Sequence, residues 1–252
     1  MLSSLSLLGL CVSFLAVGLV SALIGLGGGT SYLAFMDLFG LPAEVIPIIA
    51  LGSNIIVSGV GSAVRLYRRE SISWKIMVVC LAPSMLMAYL GACLRLEEQW
   101  YRILLNLSIL VLLLARLLLQ RRSGGDFATR GWVQLFGLSG GIGFISGVIG
   151  IGGGIILGPV LHFRGMPYQR IPVITALYIF LNSIVGILPH LFRLSNWLVL
   201  GVYWYLPLVS SLTSVAAMLC LSRRVNSGQT KNIVAVMIAL IAVYNLVRLA
   251  QL

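Results

Sequence analysis

The sequence predicts an all-α polytopic membrane protein made of two inverted repeats, each a glycine-broken re-entrant helix hairpin followed by three transmembrane helices. Three observations carry this expectation. Charge is nearly absent, the apolar residues fall into eight long segments, and a shift of 125 residues brings one half of the chain onto the other.

Of 252 residues, 60% are hydrophobic and 9% are charged. A soluble domain carries about 25% charged residues, so too little polar surface is present to cover a globule in water. The net charge of +11 does not indicate nucleic acid, because the seventeen basic residues lie almost all between apolar runs. In a lipid-embedded chain such residues set topology and anchor to phosphate headgroups. The expected partners are therefore the lipid bilayer and a small anionic substrate, with no nucleic acid and no cofactor. A homodimer is compatible with this reading. Cys11, Cys80, Cys93 and Cys220 sit in apolar runs without CxxC spacing and read as small packing residues. No Lys or Arg precedes the first hydrophobic stretch, whereas a cleaved signal carries a basic leader. That stretch is read as part of the mature protein.

Six segments read as single spans: 45–65, 74–94, 101–119, 171–190, 198–220 and 231–250. About 20 residues at 1.5 Å each cover the ~30 Å hydrocarbon core. Segments 7–39 and 132–163 are too long for one helix, and each contains a triplet, Gly27-Gly28-Gly29 or Gly152-Gly153-Gly154. Glycine disfavours helix by ~1 kcal/mol per residue. Each segment is expected to form a helix, a break and a shorter helix.

The 125-residue shift needs no gap. GLGGG at 25–29 falls on GIGGG at 150–154, Gly18 on Gly143, Gly40 on Gly165, Pro42 on Pro167, Pro47 on Pro172, Ser58 on Ser183, and Gly61 on Gly186. Shared Leu or Ile would mean little in lipid, but shared Gly and Pro fix backbone shape. The expected halves are 1–120 and 132–252, joined by a cytoplasmic linker at 121–131. Placing the loop at 66–73 in the cytoplasm, with Arg65, Arg68, Arg69 and Lys75 about it, leaves only Arg95, Arg102, Arg193 and Arg248 outside if 132–163 enters and leaves on one side. Segment 7–39 then dips from the opposite face and the halves are inverted, as in many secondary transporters. The alternative has both broken segments spanning fully and the halves parallel.

Backbone that leaves helical form at membrane depth is tolerated only inside protein or along a polar cavity. Short helices starting after Gly27, Gly28, Gly29 and Gly152, Gly153, Gly154 would aim N–H groups at a common point, and helix N-termini and glycine nests hold anions. The competing explanation is close helix packing. Ser53, Asn54 and Ser58 on one span, and Thr175, Asn182 and Ser183 on its counterpart, are the polar groups expected to face such a site. Interhelical hydrogen bonding explains each of them equally well. Arg65 aligns with His190 at a span's end, where a ligand role competes with reaching for the interface. Asp37 and Glu44 flank the first short helix without forming a recognisable proton relay. No HExxH occurs, so enzyme chemistry is not expected.

The doubled glycine segment resembles the TauE/SafE family of sulfite exporters. The residues that carry the likeness are GIGGGIILGP at 150–159 and GLGGGTSYLA at 25–34, LGSN at 51–54 with TALY at 175–178, and GILPHLFRLSNW at 186–197 with GSAVRLYRRESISW at 61–74. Ala34 stands where the family has proline, and Arg65 where it has histidine. The resemblance covers nearly the whole chain and implies export of sulfite or an organosulfonate across the inner membrane by a multi-pass protein. A non-transporting membrane scaffold and an anion channel are the alternatives.

Overall fold

The computed structural model describes residues 4–24, 29–69, 72–119, 131–167, 170–194 and 197–220. All secondary structure among them is helical: α1 Ser4–Ile24, α2 Gly29–Leu38, α3 Ile46–Tyr67, α4 Trp74–Ala92, α5 Glu98–Leu119, α6 Trp132–Ile149, α7 Gly154–Phe163, α8 Ile171–Arg193, α9 Trp197–Tyr203 and α10 Tyr205–Cys220. Gly27, Gly28, the expected span 231–250 and all but Gly131 of the linker lie outside the described residues. Among the described residues five stretches are long and apolar enough to cross a membrane: α3, α4, α6, α8 and Leu200–Ala217. The protein is a multi-pass membrane protein.

The expected helix ends have clear local causes. Pro47 and Pro172 occupy the first turns of α3 and α8, where a missing N–H costs nothing and φ is already helical. Gly40 and Gly165 follow α2 and α7 with φ of 70° and 88°. Behind α2 the amide of Gly40 donates to Asp37 O and that of Leu41 to Met36 O, both 3.0 Å. Gly165 and Met166 repeat the pattern on His162 O and Leu161 O. This glycine-closed helix end satisfies carbonyls that would otherwise be orphaned. Segment 132–163 forms a helix of 18 residues, a break and a helix of 10, with Gly150, Gly152 and Gly153 at φ of 91°, 82° and 75°. In segment 7–39, α1 and α2 flank residues 25–28.

One expected span is present as Leu200–Ala217 but interrupted. Segment 198–220 divides at Trp204 into α9 and α10. Pro207 cannot donate to the Tyr203 carbonyl four residues back, and its ring crowds that carbonyl.

Glycines set the packing. Along α4 and α6, Gly140 lies beside Pro83 and Met87, Gly143 beside Ser84, and Gly147 beside Ala88. Numbers rise together, so the two helices run parallel, with the Lys75 ammonium 5.7 Å from the Trp132 ring centroid at their shared start. Helices α3 and α8 run antiparallel: Leu51 faces Gly186, and Gly59 faces the Phe180 ring. Helix α10 lies along α3, with Pro207 by Gly52 and Ala217 by Val60 and Val64. Ser214 Oγ donates to Gly18 O of α1 at 2.9 Å. In lipid this fit, not water exclusion, holds helices together.

The short helices return beside the start of their longer partners. Arg164, just past α7, donates to Gly131 O and Gln134 Oε1, each at 3.2 Å. Phe39, just past α2, brings its ring 3.0 Å from where a Cβ on Gly9 would sit. The 125-residue shift carries the pair 9/39 onto 134/164.

Asp37 is buried in α2 and ion-paired to Arg102 of α5. Arg102 also donates to Glu98 Oε1 at 2.7 Å and to Leu41 O at 3.2 Å. Tyr101 donates to Ile149 O at 3.0 Å, so the first turn of α5 fastens both α2 and the end of α6. Removing one partner of a buried pair strands a charge, at about 3–5 kcal/mol. With the Arg102 side chain 18% exposed, the lower end applies. Arg102→Met is expected to cost about 3 kcal/mol in thermal or chemical unfolding in detergent, and Asp37→Asn in the same chain to restore most of it. Equal stability of the single and double variants would show that the ion pair is not what holds α2.

Candidate functional site

Helices α3 and α8 cross where α2 and α7 begin. Asn54 and Ser58 lie four residues apart on α3, as do Tyr178 and Asn182, and Ile179 and Ser183, on α8. Each pair therefore shares a helix face. Gly29, the first residue of α2, touches the Ile151 carbonyl so closely that a methyl there would overlap it, and the same methyl would be 2.7 Å from Asn54 Nδ2. Asn54 Nδ2 donates to Ile151 O at 3.0 Å. The start of one short helix and the break before the other are thus in direct contact, bridged by Asn54.

A Cβ on Gly152 would lie 2.9 Å from Asn54 Nδ2 and 3.0 Å from both Ser183 Oγ and Ile179 Cγ2. One on Gly153 would lie 3.0 Å from the Tyr178 ring, and one on Gly154 would overlap Ile179 Cγ1. Polar and apolar side chains close on backbone that has left helical form, and only glycine fits beneath them. The side chains around the break (Asn54, Ile142, Ser146, Tyr178, Ile179 and Ser183) carry no charge. Positive potential comes instead from the N-terminus of α7, where the Ile156 and Leu157 amides both turn back onto Gly153 O at 3.1 Å.

The residues singled out in the sequence separate into groups. Gly29, Gly152, Asn54 and Ser183 come together, with Gly153 and Gly154 adjoining. Asn54 Oδ1, Ser58 Oγ, Ser183 Oγ and Asn182 Nδ2 are buried without a hydrogen-bond partner among the described residues. Each such group costs about 1–3 kcal/mol if nothing meets it. Asn182 Oδ1 accepts from Ser84 Oγ at 3.1 Å, and that hydroxyl lies 2.6 Å from Tyr178 OH, which in turn reaches Ser139 O at 3.4 Å. Asn182 is therefore part of a network tying α4, α6 and α8 together. Ser53 and Thr175 donate to their own helices, at Ile49 O (2.8 Å) and Ile171 O (3.0 Å). His190 Nε2 sits 2.9 Å from Gly147 O and fixes α8 to α6.

Sequence reasoning missed Ser84, Tyr178 and Ile179. Tyr178 is a polar aromatic inside an apolar span, and its hydroxyl needs a buried partner. That requirement was the one available signal for the network.

With this geometry in view, comparison with known proteins decides the family. The family model described as "Sulfite exporter TauE/SafE" matches residues 10–245. The chain belongs to the TauE/SafE family. A "Probable membrane transporter protein" of Sinorhizobium fredii is 29% identical over 221 residues, covering 84% of this chain and 87% of the relative. A protein of the same description from Methanocaldococcus jannaschii is 30% identical over 185 residues, covering 69% and 68%. A third, YunE of Bacillus subtilis, is 28% identical over 218 residues, covering 75% and 80%. No solved structure gives a significant match. The matched stretch takes in both glycine segments and Asn54.

Proposed function

We propose that this TauE/SafE chain is a secondary transporter that exports a small sulfur-containing anion, such as sulfite or an organosulfonate, across the inner membrane. The substrate binds between the two helix breaks. Backbone N–H groups at the starts of α2 and α7, with the hydroxyls of Ser58 and Ser183, meet its oxygens. The observation that carries the reading is the convergence of Asn54 and Ser183 on Gly152, each with a buried polar atom that no described residue meets. Packing alone gives no reason for polar groups to be left unpaired there. The relatives' descriptions as membrane transporters, and the family's as sulfite exporters, supply the activity and the substrate class.

The chain works as two inverted repeats, 1–120 and 132–252. The antiparallel course of α3 and α8, which the 125-residue shift pairs, supports inversion. The matching contacts 9/39 and 134/164 support hairpins that leave on the face they entered. Rocking of one repeat against the other about the shared site then gives alternating access.

Proteoliposomes loaded with sulfite, sulfoacetate, sulfate or chloride are expected to show saturable flux of a sulfur oxyanion over empty controls. Flux that never saturates would favour a channel. No flux of any anion, from protein shown to be folded, would favour the scaffold.

A further inference from the structure

We infer that Tyr101 is a positioning residue for transport: its hydroxyl, bonded to the Ile149 carbonyl, fixes the shape of the second helix break. This rests on the transport reading above and concerns a residue that touches no substrate.

The first ground is how the carbonyls at the end of α6 are met. The last four carbonyls of a helix have no intrahelical N–H to accept from. Ser146 O takes the amides of Gly150 and Ile151, at 2.8 and 3.3 Å. The Ile151 amide is thereby drawn away from Gly147 O, four residues back. Side chains serve the carbonyls beyond. His190 Nε2 lies 2.9 Å from Gly147 O, Tyr101 OH donates to Ile149 O at 3.0 Å, and Asn54 Nδ2 donates to Ile151 O at 3.0 Å. A carbonyl only accepts, so the His190 proton sits on Nε2. Three alternate carbonyls are thus held from α8, α5 and α3.

The second ground is a closed ring of contacts. Gly29, at the start of α2, packs directly on Ile151 O. Past the other end of α2, Arg102 pairs with Asp37 and donates to Leu41 O. Tyr101 precedes Arg102 in the chain and reaches back to Ile149 O. Helix α2, the first turn of α5 and residues 149–151 therefore brace one another. The Tyr101 hydroxyl is the link between α5 and the break, and its ring is buried in the same apolar cluster as Leu105, Val148 and Ile149.

The third ground is where the backbone can give. Helix α6 is pinned, because Gly143 and Gly147 press on backbone atoms of α4. Gly150, Gly152 and Gly153, all at positive φ, have no Cβ to restrict them. The shape of the break thus depends on the side chains bonded to its carbonyls. Each such bond can be lost singly, without parting the seam between α4 and α6.

Tyr101→Phe keeps the ring and removes the hydroxyl. In proteoliposomes its sulfur-oxyanion flux is expected to half-saturate at a concentration roughly tenfold higher than wild type, the worth of one buried carbonyl left unmet. Maximal flux per folded protein should stay at the wild-type level. In detergent, amide exchange across 150–157 should be faster than in wild type, reporting a looser break. Ser214→Ala is the structural comparison, since it removes a hydroxyl that donates to Gly18 O at 2.9 Å between α10 and α1. It should lower the melting temperature and leave both half-saturation and exchange at 150–157 unchanged. Unchanged half-saturation or unchanged exchange in Tyr101→Phe would overturn the inference and leave anion transport intact. An equal rise in half-saturation in Ser214→Ala would overturn it as well, as would a Tyr101→Phe protein that does not fold, because the hydroxyl would then serve stability alone. If wild-type protein gives no saturable flux, the transport reading itself fails, and this inference with it.

Discussion

Gly147→Val is expected to destabilise the protein by on the order of 4 kcal/mol or more, among the exceptional values for one substitution. A Cβ at Gly147 overlaps the Ala88 carbonyl oxygen, with Ala88 C and Cα only 2.7 and 2.8 Å away. These are backbone atoms of α4, so no rotamer change relieves the overlap and the helices must separate. One turn earlier, Gly143 would set a methyl 2.6 Å from Ser84 Cα and Oγ, and Gly91 presses on Phe144 from the other side. The whole seam between α4 and α6 is built at this distance. Lipid tails are as apolar as leucine, so the loss of fit is not recovered by burial elsewhere. Separation would also release the Ser84 hydroxyl from Tyr178 and Asn182. Gly137 and Gly141 on the same helix are exposed and have nothing within 4 Å of an added Cβ. Alanine at either should leave stability unchanged or raise it by up to ~1 kcal/mol through helix propensity. Thermal melts of the three variants in one detergent check this, and a Gly147→Val melt matching that of Gly137→Ala would contradict the account of the seam.

The sequence held those parts of the fold that backbone chemistry writes locally. Pro47 and Pro172 mark the starts of α3 and α8, Gly40 and Gly165 mark the ends of α2 and α7, and the second glycine triplet marks a true break. Each works through its own φ or its own missing N–H, so neighbours hardly matter. The division of 198–220 was legible in principle, because Pro207 was visible. It was passed over because hydropathy registers only apolar length.

The site was legible in outline and not in detail. Adjacent residues on a helix point about 100° apart, so Ser53 and Asn54 meet different surroundings. Ser53 turns back onto Ile49 O, while Asn54 reaches Ile151 O, 97 residues away. That acceptor is a backbone carbonyl, which no residue letter announces. Ser58 and Ser183 were found because they are polar residues at lipid depth, and they also coincide under the repeat shift. Asp37 and Arg102 stand 65 residues apart, and no local pattern joins one to the other.

The same local chemistry leads to a prediction at the site itself. Gly154→Ala is expected to suppress transport while the protein remains folded. The added methyl overlaps Ile179 Cγ1 and lies 3.1 Å from Thr175 O. Gly154 has an ordinary helical φ, since it is absent from the glycines in the left-handed region, so alanine brings no backbone strain and even favours helix. The penalty is confined to overlap at the first residue of α7. Relieving such overlap costs about 1–3 kcal/mol, small against the many contacts of α3, α4, α6 and α8. It falls on the helix start whose N–H groups are proposed to hold the anion, and if spent on the bound state it corresponds to roughly a ten- to hundredfold loss of affinity. Ile179→Ala removes the overlapping Cγ1 atom, so the double variant should recover much of the lost flux, which a general weakening of the fold would not allow. Flux of a sulfur oxyanion from Gly154→Ala, Ile179→Ala and the pair, set beside their melting curves, separates the two causes. Wild-type flux from the single variant, or no recovery in the double, would move the binding site away from the start of α7.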